Sequence, residues 1–226
     1  MKRKVVLALS GGMDSTTLLG KLLHEGNDVK CLCFYYASKH NEYENKAAAM
    51  VAEHYGVNLQ MVDLSQVMSG FTSALLKSGG EIPEGHYTDS SMSQTVVPFR
   101  NGIFLSIMAG LAESIGADSV AVGIHQGDHA IYPDCREVFY KMMNNAILAG
   151  TDNKVHIIAP FLNTDKIGIL QEGFTINVPY HLTRTCYKDQ PVSCGNCGSC
   201  NERKEAFNIV GVIDPIPYSD ESYLQV

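Results

Sequence analysis

The sequence predicts an open five-stranded parallel α/β sheet with helices on both faces, followed by a small metal-bearing helical segment. Three observations carry this reading. Short apolar runs rich in β-formers alternate with helically spaced apolar residues from residue 4 to residue 158. A glycine-rich turn, Ser10-Gly11-Gly12, joins the first run to the first helical pattern. Four of the seven cysteines crowd between Cys186 and Cys200, where the α/β rhythm has faded.

Taken in order, residues 4–9 form a nearly all-apolar run, as expected of a strand covered on both faces. Residues 15–25 set Leu18, Leu19, Leu22 and Leu23 at helical spacing, and Gly26 closes that helix. Residues 29–36 read as a second strand. Residues 41–55 place Ala47, Met50, Val51 and His54 on one stripe and stop at Gly56, and 57–62 form a third strand. Residues 78–96 are rich in Gly, Ser, Pro and acid with little periodicity, which predicts a long structureless loop, either a lid over the site or locally disordered. Beyond it come a helix at 103–115, a strand at 119–124, a helix at 136–148 and a strand at 155–158. Lys166 opens a further helix, and 201–208 a short last one. The domain reading is an α/β core at 1–172, a cysteine-bearing segment at 173–213 and a tail at 214–226. Pro215, Pro217 and the lack of core residues predict that the tail frays.

Seventeen Lys and Arg stand against twenty-four Asp and Glu, a formal charge of −7. This excludes a broadly basic surface for nucleic acid and favours an enzyme with a local pocket, with no direct nucleic-acid binding expected. The apolar run after Lys4 breaks at Ser10, short of the roughly 7–15 residues of a signal peptide. The apolar stretch at 103–112 is far below the ~20 residues that span a bilayer. A cytoplasmic protein without a membrane segment is expected, and in that compartment clustered cysteines point to metal rather than to disulfides.

The turn Ser10-Gly11-Gly12-Met13-Asp14-Ser15 offers backbone N–H groups of a helix start, with the Ser10, Ser15 and Thr16 hydroxyls, as a cradle for anionic oxygens. Asp14 would repel a bare phosphate and so suggests a magnesium-bound one. No Lys follows the glycines, so this is not a Walker loop. Cys186, Cys194, Cys197 and Cys200 supply four thiolates, the set of a closed structural zinc site, with an iron–sulfur cluster or four unrelated cysteines as the alternatives. Arg100 could clamp a carboxylate or phosphate, and Asn101 could cap a helix or read a heterocycle edge. After the fourth strand, residues 123–136 gather His125, Asp128, His129, Tyr132, Asp134 and Arg136 at the end where open α/β sheets bind ligands. Lys166 is either solvated or reaches a triphosphate, and His40 is either a surface residue or a substrate contact. Cys31, Cys33 and Cys135 read as ordinary buried cysteines.

The hexapeptide at 10–15 resembles the pyrophosphate loop of the N-type ATP pyrophosphatases, which cleave ATP between the α- and β-phosphates. With Val97 to Asn101, Tyr132-Pro133-Asp134-Cys135-Arg136, Lys166 and the four cysteines, the chain up to about Gly211 resembles the 7-cyano-7-deazaguanine synthase family of queuosine biosynthesis. The resemblance implies an adenine-nucleotide hydrolase-like fold and a homodimer. It implies conversion of 7-carboxy-7-deazaguanine and ammonia to the nitrile at the expense of ATP, with Mg2+ as cofactor, through adenylated acid and amide. It carries nucleotide binding to Leu9, Ser10, Gly11, Gly12, Met13, Asp14, Ser15, Thr16, Phe34 and Lys166. Substrate binding is carried to His40, Arg100, Asn101, Asp128, His129, Tyr132, Asp134 and Arg136, and catalysis to Asp14, Lys166, Arg100 and Asp134. Structural Zn2+ goes to Cys186, Cys194, Cys197 and Cys200. Two other readings stay open: an enzyme that adenylates the same acid but stops at the amide or passes it to another acceptor, and a zinc-ribbon RNA-binding protein on a degenerate ATP fold.

Overall fold

The protein is described by a computed structural model covering residues 2–86 and 90–220. Five parallel strands, β1 (Lys4–Ala8), β2 (Asp28–Tyr35), β3 (Leu59–Asp63), β4 (Ser119–Ala121) and β5 (His156–Ile158), form one sheet in the order β3-β2-β1-β4-β5. The order reverses direction between β1 and β4, so a crevice opens beyond the carboxyl ends of these two strands. Helices α1 (Met13–His24), α2 (Asn41–Tyr55), α3 (Arg100–Ser114), α4 (Glu137–Gly150), α5 (Lys166–Thr175) and α6 (Gly198–Val210) complete the fold.

The period-two alternation of β1 sends Val5 and Leu7 to one face and Val6 to the other, all three fully buried. Val5 and Leu7 meet Leu18, Leu19 and Leu22 of α1 and Ala48 and Val51 of α2. Val6 meets Leu105, Met108 and Ala112 of α3. The fully covered strand is thus legible as an apolar run, whereas β3 lies at the sheet edge and is largely exposed.

Helix boundaries differ from the sequence reading where the site begins. Helix α3 starts three residues earlier than its apolar pattern, because Phe99 adopts a left-handed φ of 52° and turns the chain directly into Arg100. Strand β4 ends three residues early: Val122 still bonds to Ile158, but the chain leaves the ladder at Gly123, which passes against the Asp14 and Ser15 backbone. A Cβ at Gly123 would lie 3.3 Å from those atoms, so the close crossing of β4 over the start of α1 leaves little room for a side chain.

Two expectations are corrected. The stretch 214–220 does not fray: Asp214 is buried and accepts two hydrogen bonds from Arg203 at 2.8 and 2.9 Å, and Ser219 N–H donates to the Ser193 carbonyl. The remainder of the tail lies outside the described residues. The loop 78–96 is structured over much of its length: Glu84 bridges to Cys197, Ile82 packs on the cysteines, and Ser90–Thr95 forms a 3-10 turn with Met92 buried. Thr95 Oγ1 meets the Tyr132 hydroxyl at 2.8 Å beneath the crevice.

Candidate active site

The turn from β1 into α1 forms because two glycines relieve two different crowding problems. Gly11 has a φ of +80°, and a Cβ there would sit 2.4 Å from the Ala48 nitrogen and 2.7 Å from the Glu44 carbonyl of α2. Gly12 serves as N-cap without a side chain, so the first N–H groups of α1 are left for a ligand. Ser10 and Ser15 close the turn: Ser10 Oγ lies 3.0 Å from Ser15 Oγ, and Ser10 N–H donates to Ser15 Oγ at 3.2 Å. This is a fixed cradle of backbone and hydroxyl donors at the N-terminus of a buried helix.

The cradle forms one end of a cavity bounded by the ends of β1, β2 and β4, the start of α3 and the C-terminal segment. Leu9, Ser10, Gly12, Met13, Asp14, Ser15, Phe34 and Lys166 of the expected nucleotide set line it. Gly11 packs behind the turn, and Thr16 is fully buried with its hydroxyl unpartnered. Of the expected substrate set, His40, Arg100, Asn101, Asp128 and Tyr132 line the same cavity. Asp134, His129 and Arg136 do not. Asp134 acts from behind the wall, accepting the Asn101 backbone N–H at 2.8 Å, while the Asn101 side chain donates to the Asp134 carbonyl at 3.2 Å. Asn101 therefore stands inside the first turn of α3 and is not its cap. Arg136 is exposed, and its Nε donates to the His129 carbonyl.

Lys166 is not solvated. It is 8% exposed, and its ammonium donates to both Asp14 oxygens at 2.7 and 2.9 Å and lies 3.3 Å from Glu202. Burial alone would lower its pKa, but Asp14, Glu202 and Asp128 outweigh burial and raise it. For Asp14, burial pushes upward, yet Lys166 and then His125 hold the carboxyl below its ordinary value. Glu202 remains raised, with burial outweighing Lys166 and His125. His125 Nδ1 accepts the Gly127 N–H at 3.1 Å, which assigns the ring proton to Nε2. That nitrogen faces Asp128 at 3.5 Å and Asp14 and Glu202 at 4.0 Å. Three carboxylates thus converge beside one fixed cation, an oxygen-rich set suited to a magnesium ion arriving with a triphosphate.

The opposite wall is aromatic and cationic. Phe34 stacks on Phe104 with centroids 4.0 Å apart, and Tyr36 meets Phe104 edge-on. Arg100 donates to the Tyr36 hydroxyl at 3.2 Å. His40, expected as a surface or substrate residue, is 2% exposed and sits against Tyr187, with Nε2 on Glu44 and Nδ1 unpartnered. Cys31 and Cys33 are buried thiols pushed up to about 12 by desolvation, and burial raises Cys135 too, so all three are poor nucleophiles.

Sequence reasoning missed the C-terminal contribution. Arg184 N–H donates to the Gly11 carbonyl at 2.8 Å, and its guanidinium lies 4.5 Å over the Tyr43 ring. Arg184, Tyr187 and Glu202 line the cavity, and no local pattern marks any of them. His125 stood in the motif at 123–136 but carried no distinguishing signal.

The four cysteines form a cluster that could hold a metal ion. Their buried sulfurs lie within 4.8 Å of one another, and Cys194 and Cys200 Sγ are 3.9 Å apart. A tetrahedral ion with metal–sulfur bonds of ~2.3 Å sets its sulfurs about 3.8 Å apart, so the cage fits. Backbone N–H groups of Lys188 and Cys194 donate to Cys186 Sγ, and that of Cys197 donates to Cys194 Sγ, stabilising thiolates.

With this geometry established, the model of the family described as "Queuosine biosynthesis protein QueC" matches residues 4–211. The chain belongs to the QueC family. It is 44% identical over 223 residues to the 7-cyano-7-deazaguanine synthase of Psychromonas ingrahamii, covering 97% of this chain and 100% of that relative. It is 45% identical over 213 residues to that of Porphyromonas gingivalis, covering 94% and 96%. Among solved structures, the NMN synthetase of Francisella tularensis superposes with a TM-score of 0.50 at 13% identity, over 94% of this chain and 78% of that one, and shares the fold alone. Among the described residues, no helix of this QueC family member is long and apolar enough to cross a membrane.

Proposed function

We propose that this chain makes 7-cyano-7-deazaguanine from 7-carboxy-7-deazaguanine and ammonia, consuming ATP at two adenylation steps. One observation carries the reading beyond family membership: the anion cradle with Lys166 and the Arg100–Asn101 wall line one continuous cavity. Adenylation needs that arrangement, because the acid must meet the α-phosphate. A carboxylate resists ammonia because its oxygen is a poor leaving group. Transferring AMP to that oxygen makes it leave as phosphate, and ammonia then gives the amide. A second transfer, to the amide oxygen, lets loss of AMP and protons give the nitrile.

The roles follow from position. The α1 N-terminus with Ser10 and Ser15 holds the departing pyrophosphate, and Lys166 stabilises charge growing on the α-phosphate. Asp14, with Asp128 near by, would hold magnesium, which neutralises the triphosphate. Arg100 and Asn101, the latter fixed by Asp134, orient the acid, and the Phe34–Phe104 stack gives the heterocycles an apolar wall. The cysteine cage takes structural zinc, since four thiolates leave no open position. The reading includes a cytoplasmic homodimer.

The test is incubation with the acid, ammonium, ATP and magnesium, read by mass spectrometry. Nitrile with AMP is expected. Amide accumulating without nitrile, or no AMP from folded, metal-loaded protein, overturns it.

A further inference from the structure

We infer that Glu202, carried on the helix that the cysteine cluster starts, is a positioning residue of the nucleotide site, holding Lys166 for use on the phosphate. The inference rests on the role given above to Lys166. Its basis is the way α6 is aimed. Cys197 is the N-cap of α6 and Cys200 lies in its first turn, so the metal site fixes where the helix begins. Arg203, fully buried, fixes its rotation: the guanidinium binds both Asp214 oxygens, Thr183 Oγ1, Thr185 Oγ1 and the Tyr180 carbonyl. Between these two fastenings only one residue, Glu202, reaches the ionic cluster of the α/β core, 3.3 Å from Lys166 and 4.0 Å from His125. The core makes room for it. A Cβ on Gly127 would lie 3.0 Å from Glu202 Oε1.

The consequence concerns competition for one ammonium. In the cavity Lys166 is shared by Asp14, on α1, and Glu202, on α6. When Mg–ATP enters, magnesium competes for Asp14 and the phosphate competes for Lys166. Glu202 is outside the cradle and remains as the fixed anchor that keeps the lysine extended across the crevice. Its negative charge also works against binding the triphosphate. A residue with this placement therefore costs nucleotide affinity while raising the rate, and this combination separates positioning from a merely structural role.

The experiment compares wild type with Glu202→Gln, Lys166→Met and the double variant, each checked for bound metal and melting temperature. Mg–ATP affinity is measured by calorimetry and AMP release by steady-state kinetics. Glu202→Gln is expected to keep its metal, bind Mg–ATP as tightly as wild type or more tightly, and lose at least tenfold in kcat. In the Lys166→Met background the same change is expected to have less than a twofold further effect, because its action passes through the lysine. A kcat within twofold of wild type for Glu202→Gln overturns the inference. Weaker Mg–ATP binding together with lost metal does so too, since that marks a structural role, as do losses that multiply in the double variant. If Lys166→Met itself leaves kcat unchanged, the assignment of Lys166 fails first. If only Glu202→Gln is silent, that assignment stands and the inference alone is refuted.

Discussion

Replacing Lys166 by methionine tests the core of the site with two linked readouts. Methionine keeps the apolar stem and deletes an ammonium bound to Asp14 at 2.7 and 2.9 Å. Removing a single preorganised donor from a developing charge costs about 10²–10³ in kcat, roughly 3–4 kcal/mol. Stability responds as well, because Asp14 and Glu202 lose their shared counter-ion. Breaking a fully buried pair costs about 3–5 kcal/mol, but Asp14 keeps a quarter of its side chain exposed, so roughly 2 kcal/mol is the better figure at neutral pH. At about 2–4 °C per kcal/mol for a chain of this size, the melting temperature drops by roughly 4–8 °C. The pH dependence fixes the cause. In the wild type the lowered Asp14 pKa contributes stability that is full above its ordinary value of 3.8 and lost as pH falls through the lowered value. Without Lys166, burial dominates and raises that carboxyl, so the variant is penalised at neutral pH and relieved as the group protonates. The difference in melting temperature from wild type should therefore narrow as pH falls towards the ordinary carboxyl value of 3.8. A kcat loss under tenfold, or a melting deficit that does not change with pH, would refute the reasoning.

Four further outcomes are expected. Cys200→Ser should lose the proposed zinc, read by atomic absorption as less than one ion per chain, and should also weaken Mg–ATP binding. Asp214→Ala leaves the buried Arg203 guanidinium without its carboxylate and should cost about 3–5 kcal/mol in urea unfolding. Gly11→Ala forces a Cβ against the α2 backbone at a φ of +80° and should abolish nucleotide binding in calorimetry. Val138 and Met142 are 65% and 60% exposed on α4, which makes this face the expected contact of the proposed homodimer, and changing both to Lys should give a monomer in sedimentation velocity.

What the sequence disclosed divides along the range of the interactions involved. The β1–turn–α1 unit and the span of α2 follow from neighbours within a few residues, and both were legible from glycines and apolar spacing. The start of α3 was misplaced because Phe99, an aromatic residue in left-handed conformation, carries no glycine to announce the turn. His40 looked like a loop residue because Tyr187, which covers it, is far away in the chain. The tail looked empty of core residues because its anchor is a charge, Asp214, whose burial makes sense only opposite Arg203. Lys166 could not be told from a solvated lysine without the three carboxylates that the fold assembles around it.

The same distinction bears on the metal proposed for the cysteine cluster. Beyond residue 160 the apolar periodicity weakens, yet the C-terminal segment keeps a small core in which Leu170, Val178, Tyr180, Ala206 and Phe207 are buried together with Met13. That segment also presents the Arg184 backbone to the Gly11 carbonyl and Glu202 to Lys166. Small displacements in such a shell cost rate steeply. Four thiolates on the proposed ion, with the buried Arg203–Asp214 pair, would add to that packing and hold the first turns of α6 in place. A metal held there would bear on catalysis through geometry, since four thiolates leave no open coordination position.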